Sequence, residues 1–76
     1  MEELLAYLAR ELVDNPGDVR VERHDSGADV VLELHVAPDD VGKVIGRQGR
    51  IARALRTVVR AGGPHAGRRL QLEIVG

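Results

Sequence analysis

Apolar residues recur along the chain with two periods, and the changes of period mark the elements. In residues 2 to 13, Leu4, Leu5, Leu8 and Leu12 fall at i, i+1, i+4 and i+8, a stripe of helical spacing. Glu2 and Glu3 stand in its first turn, where the helix dipole favours acids. Asp14-Asn15-Pro16-Gly17 ends this helix, because Pro16 cannot continue it and disfavours helical geometry at Asn15. A period of two follows over Asp18 to His24 and Asp29 to Ala37, joined by Asp25-Ser26-Gly27-Ala28, which has hairpin composition. In the second of these strands Val30, Leu32, Leu34 and Val36 point to one side, and Asp29, Val31, Glu33, His35 and Ala37 to the other. Pro38-Asp39-Asp40 opens a short helix, with Asp39 as cap or first-turn acid and Val41, Val44 and Ile45 as its apolar side; it stops at Gly46. From Arg50 to Ala61, Ile51, Ala54, Leu55, Val58 and Val59 occupy an arc of about 140°, with Arg53, Arg56 and Arg60 within about 60° on the far side. Gly62-Gly63-Pro64 stops that helix, His65-Ala66-Gly67 extends the loop, and Leu70, Leu72 and Ile74 alternate with Arg69, Gln71 and Glu73 in a last strand.

The order is therefore α-β-β-α-α-β. A right-handed crossover through the two central helices lays strand three parallel to strand two, so an α+β fold is expected in which three helices cover one face of a three-stranded mixed sheet. With 76 residues the chain is one domain, 1–76, whose modest core buries about 60 to 65% of the unfolded surface. That core is aliphatic: Phe and Trp are absent, and Tyr7 alone makes no base-stacking platform.

Charge changes this picture more than composition does. The net charge of −1 hides eleven acids and three bases in residues 1 to 40, a net −8, against eight bases and one acid in 41 to 76, a net +7. Such asymmetry points to polyanion binding, although opposite halves that simply pair with each other explain it too. The cations gather around Gly46-Arg47-Gln48-Gly49, where Lys43, Arg47, Arg50, Arg53, Arg56 and Arg60 occur with no acid among them. Two glycines spaced by two polar residues leave the backbone bare of Cβ atoms, so a phosphate can approach the main chain. A helix starting at Gly49 or Arg50 adds the positive end of its dipole. The stretch reads as a grip for a phosphate backbone. Its bland reading, a helix stop followed by a tight turn, holds at the same time, and the exposed donors Arg47 and Gln48 tip it toward binding.

Ile45-Gly46-Arg47-Gln48-Gly49-Arg50-Ile51 between two short helices resembles the I-G-x-x-G signature of the KH domain, a single-stranded nucleic-acid-binding module whose GxxG loop clamps about four nucleotides. The longer run from Val41 to Arg50, with the chain length, is similar to the small bacterial single-KH proteins of the KhpA type, and the resemblance covers nearly all 76 residues. It implies the type II KH fold, with a core motif over about 29–76 and the GxxG loop at 46–49. It also implies RNA contacts from Lys43, Ile45, Gly46, Arg47, Gln48, Gly49, Arg50 and Arg53. Ile45 and the apolar edges of both helices would line a groove for bases, and residues 62 to 69, with Arg68 and Arg69, would form its opposite wall. Beyond single-stranded RNA, the resemblance implies a larger KH partner of the Jag or KhpB type, an RNA-chaperone role, and a link to cell-envelope and cell-shape control in the bacterial cytoplasm.

Other chemistries find little support. Gly42, Gly46 and Gly49 are spaced as neither a dinucleotide fingerprint nor a P-loop, so no nucleotide cofactor is expected. The absence of cysteine excludes disulfides and thiol catalysis and fits a reducing compartment. No apolar run suits a membrane span or signal peptide. His24, His35 and His65 look too dispersed for a metal site, Asp39-Asp40 reads as helix capping, and no serine or threonine has a nucleophile's setting; no enzyme activity is expected. The alternative from another class is a protein-interaction module that uses the same surface for self-association, including a possible homodimer, or for docking a partner or the ribosome.

Overall fold

The computed structural model describes residues 1–62 and 69–76. Its elements are α1 (Glu2–Leu12), β1 (Arg20–Ser26), β2 (Asp29–His35), α2 (Val41–Ile45), α3 (Arg50–Ala61) and β3 (Arg69–Val75), with single 3-10 turns at Pro16–Asp18, Pro38–Asp40 and Arg47–Gly49. The order is the one the hydrophobic pattern predicts. β1 pairs antiparallel with β2 from Arg20↔His35 to Ser26↔Asp29, and β2 pairs parallel with β3 from Asp29↔Arg69 to His35↔Val75, so β2 is central. The hairpin closes over Gly27-Ala28, with Gly27 at φ 57, a left-handed first loop residue that glycine adopts without cost.

One face of the sheet is the core. Leu32 and Leu34 of β2 are buried with Leu72 of β3, and with them pack Leu5, Ala6 and Ala9 of α1, Val44 of α2, and Leu55 and Val59 of α3; Val30 of β2 is buried as well. Truncating Leu32 or Leu34 to alanine there costs about 2–5 kcal/mol. The helices thus form one layer on one side, and the other side of the sheet carries polar residues of all three strands.

The strand bounds shift, β1 from the expected Asp18–His24 to Arg20–Ser26 and the end of β2 from Ala37 to His35, and three further details differ from the sequence reading. The buried stripe of α1 is Leu5, Ala6 and Ala9, with Leu8 partly buried, whereas Leu4 and Leu12 of the expected stripe are exposed. Small residues let that helix lie close to its neighbours, so packing favours the alanine side over the leucines. In α3 the same effect buries Ala52 and leaves Ala54 exposed.

The third concerns Asp40. No side-chain capping bond forms at the start of α2. Its carboxylate reaches back instead: Oδ1 accepts the Asp14 N–H at 3.2 Å, and Oδ2 accepts the backbone N–H and Nδ2 of Asn15, both at 3.0 Å. Asp40 is 0% exposed, a buried charge made tolerable by these donors. It ties the end of α1 to the entry of α2 and so sets where the following loop stands.

Candidate nucleic-acid interface

α2 ends at Gly46, whose N–H still bonds Gly42 O at 2.9 Å, and the chain then turns through backbone space that few side chains tolerate. Gly46 has φ 77 and ψ 173, Gln48 φ 57 and ψ 26, and Gly49 φ 72 and ψ 15. The two glycines are required for different reasons. A Cβ on Gly46 would lie 2.6 Å from Ile51 Cγ1, so the loop is folded tightly onto α3 there. At Gly49 nothing lies within 4 Å of a built Cβ: that side is open to an incoming group. Gln48 is the one described non-glycine residue with positive φ, a strained position of the kind that gathers at functional loops.

The loop leads straight into α3. Gly49 is its N-cap and offers no side-chain cap, so the helix presents the positive end of its dipole uncapped by the chain's own side chains. Arg47, Gln48, Arg50 and Arg53 are exposed around it, with Arg56 and Arg60 farther along the same helix. Arg50 Nη2 donates to Gln48 Oε1 at 3.2 Å, which holds two of these side chains together. Among the described residues no carboxylate is paired with Arg47, Arg50, Arg53, Arg56 or Arg60. Ile45, half-exposed beside the loop, supplies an apolar surface at its edge.

Lys43 stands apart from this group. Its Nζ lies 3.0 Å from Asp14 Oδ2 and 3.9 Å from Asp40 Oδ1. Hydrogen bonding to Asp14 and that residue's charge raise its pKa. Burial pushes the Asp40 carboxyl up, but the Asn15 side chain, the Asp14 and Asn15 amides and the Lys43 charge outweigh it and hold the group below its ordinary range. Of the eight candidate residues, seven therefore surround one open loop, and Lys43 is engaged with the α1–α2 latch. Arg69, expected on the opposite wall, pairs with Asp29 Oδ1 at 3.1 Å; the loop before it, with Arg68, lies outside the described residues.

The family model for the KhpA/KhpB KH domain matches residues 2–74. The chain belongs to this KH-domain family. Similar relatives span it from end to end. One is an RNA-binding protein KhpA of Halalkalibacterium halodurans, 52% identical over 75 residues covering 99% of each chain. Another, of Treponema pallidum, is 53% identical over 74 residues, 97% of this chain and 92% of the relative. A third, of Streptomyces coelicolor, is 52% identical over 75 residues, 99% and 91% respectively.

Sequence reasoning missed one cluster. His24 and His35, which look dispersed, converge on the outer face of the hairpin. The register sets Glu22 directly opposite Glu33 and brings each histidine beside the other strand's glutamate. His24 Nε2 lies 3.1 Å from Glu33 Oε1, and His35 Nε2 lies 3.1 Å from Glu22 Oε2 and 3.3 Å from Glu33 Oε1. The available signal was the repeated Glu-x-His, Glu22-Arg23-His24 and Glu33-Leu34-His35, whose members share a face in any strand.

Proposed function

We propose that this protein binds single-stranded RNA through the Gly46–Gly49 loop and the arginines at the start of α3. The observation that carries the reading is the open, Cβ-free approach at Gly49, at the uncapped head of α3 and amid arginines that have no carboxylate partner among the described residues. Phosphates sit on the loop and helix terminus, Arg47, Arg50 and Arg53 neutralise them, and Ile45 offers the first base an apolar edge. The relatives' names, RNA-binding protein KhpA, support the same ligand. The joint naming of the family for KhpA and KhpB is consistent with a larger KH partner of the KhpB type; a chaperone-like role on RNA, and action in the cytoplasm on envelope and cell-shape control, are proposed on the resemblance to KhpA-type proteins alone. The protein acts by holding RNA, without catalysis.

The test replaces Arg47 and Gln48 together by aspartate. Both side chains are exposed, aspartate tolerates the left-handed conformation of position 48, and surface changes of this kind shift stability within about 0.5 kcal/mol each. Fluorescence anisotropy with a labelled single-stranded RNA should show binding lost while circular dichroism and melting temperature stay near the parent's. Undiminished binding would overturn the assignment of the loop.

A second reading has its own observation. Leu4, Tyr7 and Leu12 are exposed apolar side chains on α1 and suit a second copy or a protein partner. Light scattering with and without RNA separates the modes: a dimer through the GxxG face dissociates as RNA binds, whereas one through α1 does not.

A further inference from the structure

We propose that the outer face of the β1–β2 hairpin is a site for a zinc-class divalent cation, held by His24, Glu33 and Glu22 with His35 as the fourth ligand. It is independent of the RNA-binding surface, since it lies across the sheet from the helical layer. Glu22, His24 and Glu33 each bring one ligand atom to within 4.8 Å of the others. The nitrogen–oxygen separations His24–Glu33, His35–Glu33 and His35–Glu22 are 3.1, 3.3 and 3.1 Å, and His24–Glu22 is 3.9 Å. Metal–ligand bonds of about 2.0–2.2 Å in a tetrahedron require ligand atoms about 3.3–3.5 Å apart, so Glu22, His24 and Glu33 are close enough to close on an ion, and His35, which is outside that trio but beside both carboxylates, turns inward to complete it.

The electrostatics favour a cation there. Glu22, Glu33 and Glu73 are register partners in a row across all three strands, and directly opposed like charges weaken a sheet. Arg20 Nε, 3.5 Å from Glu22 Oε1, offsets one of them and leaves Oε2 turned toward the histidines. Two imidazoles with two carboxylates select zinc over magnesium, which prefers an all-oxygen shell. The histidines and glutamates are partly exposed, so the ion retains access to solvent.

The experiment is isothermal titration of the full chain, free of any affinity tag, with zinc chloride and separately with magnesium chloride. Expected are one zinc per chain, no comparable magnesium heat, and affinity at least about tenfold weaker in His24→Gln and in Glu33→Gln. All four ligands lie on the surface, and circular dichroism checks that the variants remain folded. Nuclear magnetic resonance of the parent should show the His24 and His35 imidazole signals shifting with one equivalent of zinc. Heat only at millimolar zinc, equal response to magnesium, or parent-like binding by the His24→Gln, His35→Gln double variant would each overturn the proposal, leaving the cluster as a set of histidine–carboxylate pairs.

Discussion

Gly46 and Gly49 share a motif but carry different loads, and alanine at each should separate folding from binding. Gly46 occupies a backbone region that is essentially glycine's alone, and its Cβ would drive into Ile51, which is packed against the core. Gly46→Ala should therefore cost at least about 2 kcal/mol, visible as a fall of roughly 8 °C or more in melting temperature. Gly49 meets no atom and sits in the ordinary left-handed well, so Gly49→Ala costs only about 1–2 kcal/mol. The added methyl lies on the open side, where the proposed phosphate approaches. Thermal melts paired with RNA anisotropy should show Gly49→Ala losing more binding than stability, and the reverse order would mean that the open side faces no ligand. Gln48, strained between them, was not identifiable as strained from its residue type, because positive φ at a non-glycine residue follows from the helix-to-helix geometry.

The elements were legible where local pattern dictates them and obscure where distant contacts do. The alternation Val30, Leu32, Leu34 is the buried face of β2, continued by buried Val36 just past its end, and α3 spans Arg50–Ala61 as its periodicity and flanking glycines require. By contrast, the side of α1 that packs, the His24–His35 convergence and the role of Asp40 each depend on a neighbour that sequence spacing does not reveal. Asp40 makes the point measurable. Its carboxyl pKa is lowered on folding, so its stabilisation is present above the ordinary value of 3.8 and is lost as pH falls through that value toward the lower folded one. Glu33, lowered from 4.5, adds to the same acid-side loss. Asp40→Asn places an amide donor against the donors of Asp14 and Asn15. The variant should melt well below the parent at pH 7 and show a flatter decline between about pH 5 and 2, by melts across that range. Parallel curves for parent and variant would mean that the latch contributes nothing to acid sensitivity.

As a whole the molecule is an electrical dipole laid over a two-sided sheet. The acidic first half supplies β1 and β2, whose outer face carries Glu22 and Glu33, while the basic second half supplies the loop and α3 on the helical side. A polyanion is drawn to the loop and the head of α3 and away from the acidic elements of the first half, α1 included, which orients its approach without any base being read. With no Phe or Trp to stack on, RNA oligomers of equal length and different sequence should bind within roughly tenfold of one another, about 1.4 kcal/mol. Salt dependence then counts the contacts. Arg47, Arg50 and Arg53 are exposed and have no carboxylate partner among the described residues, so neutralising three or four phosphates gives a slope of log affinity against log salt of about −2 to −3 for a single strand. Lys43 belongs to the same cationic stretch but is held by Asp14, so moving it to a phosphate means breaking that pair. Lys43→Met should accordingly lower the melting temperature while leaving the salt slope nearly unchanged, and Arg50→Met should reduce the magnitude of the slope by about 0.7 with little effect on melting. If the two variants exchange these effects, Lys43 leaves Asp14 to grip the RNA, and the latch opens when the ligand arrives.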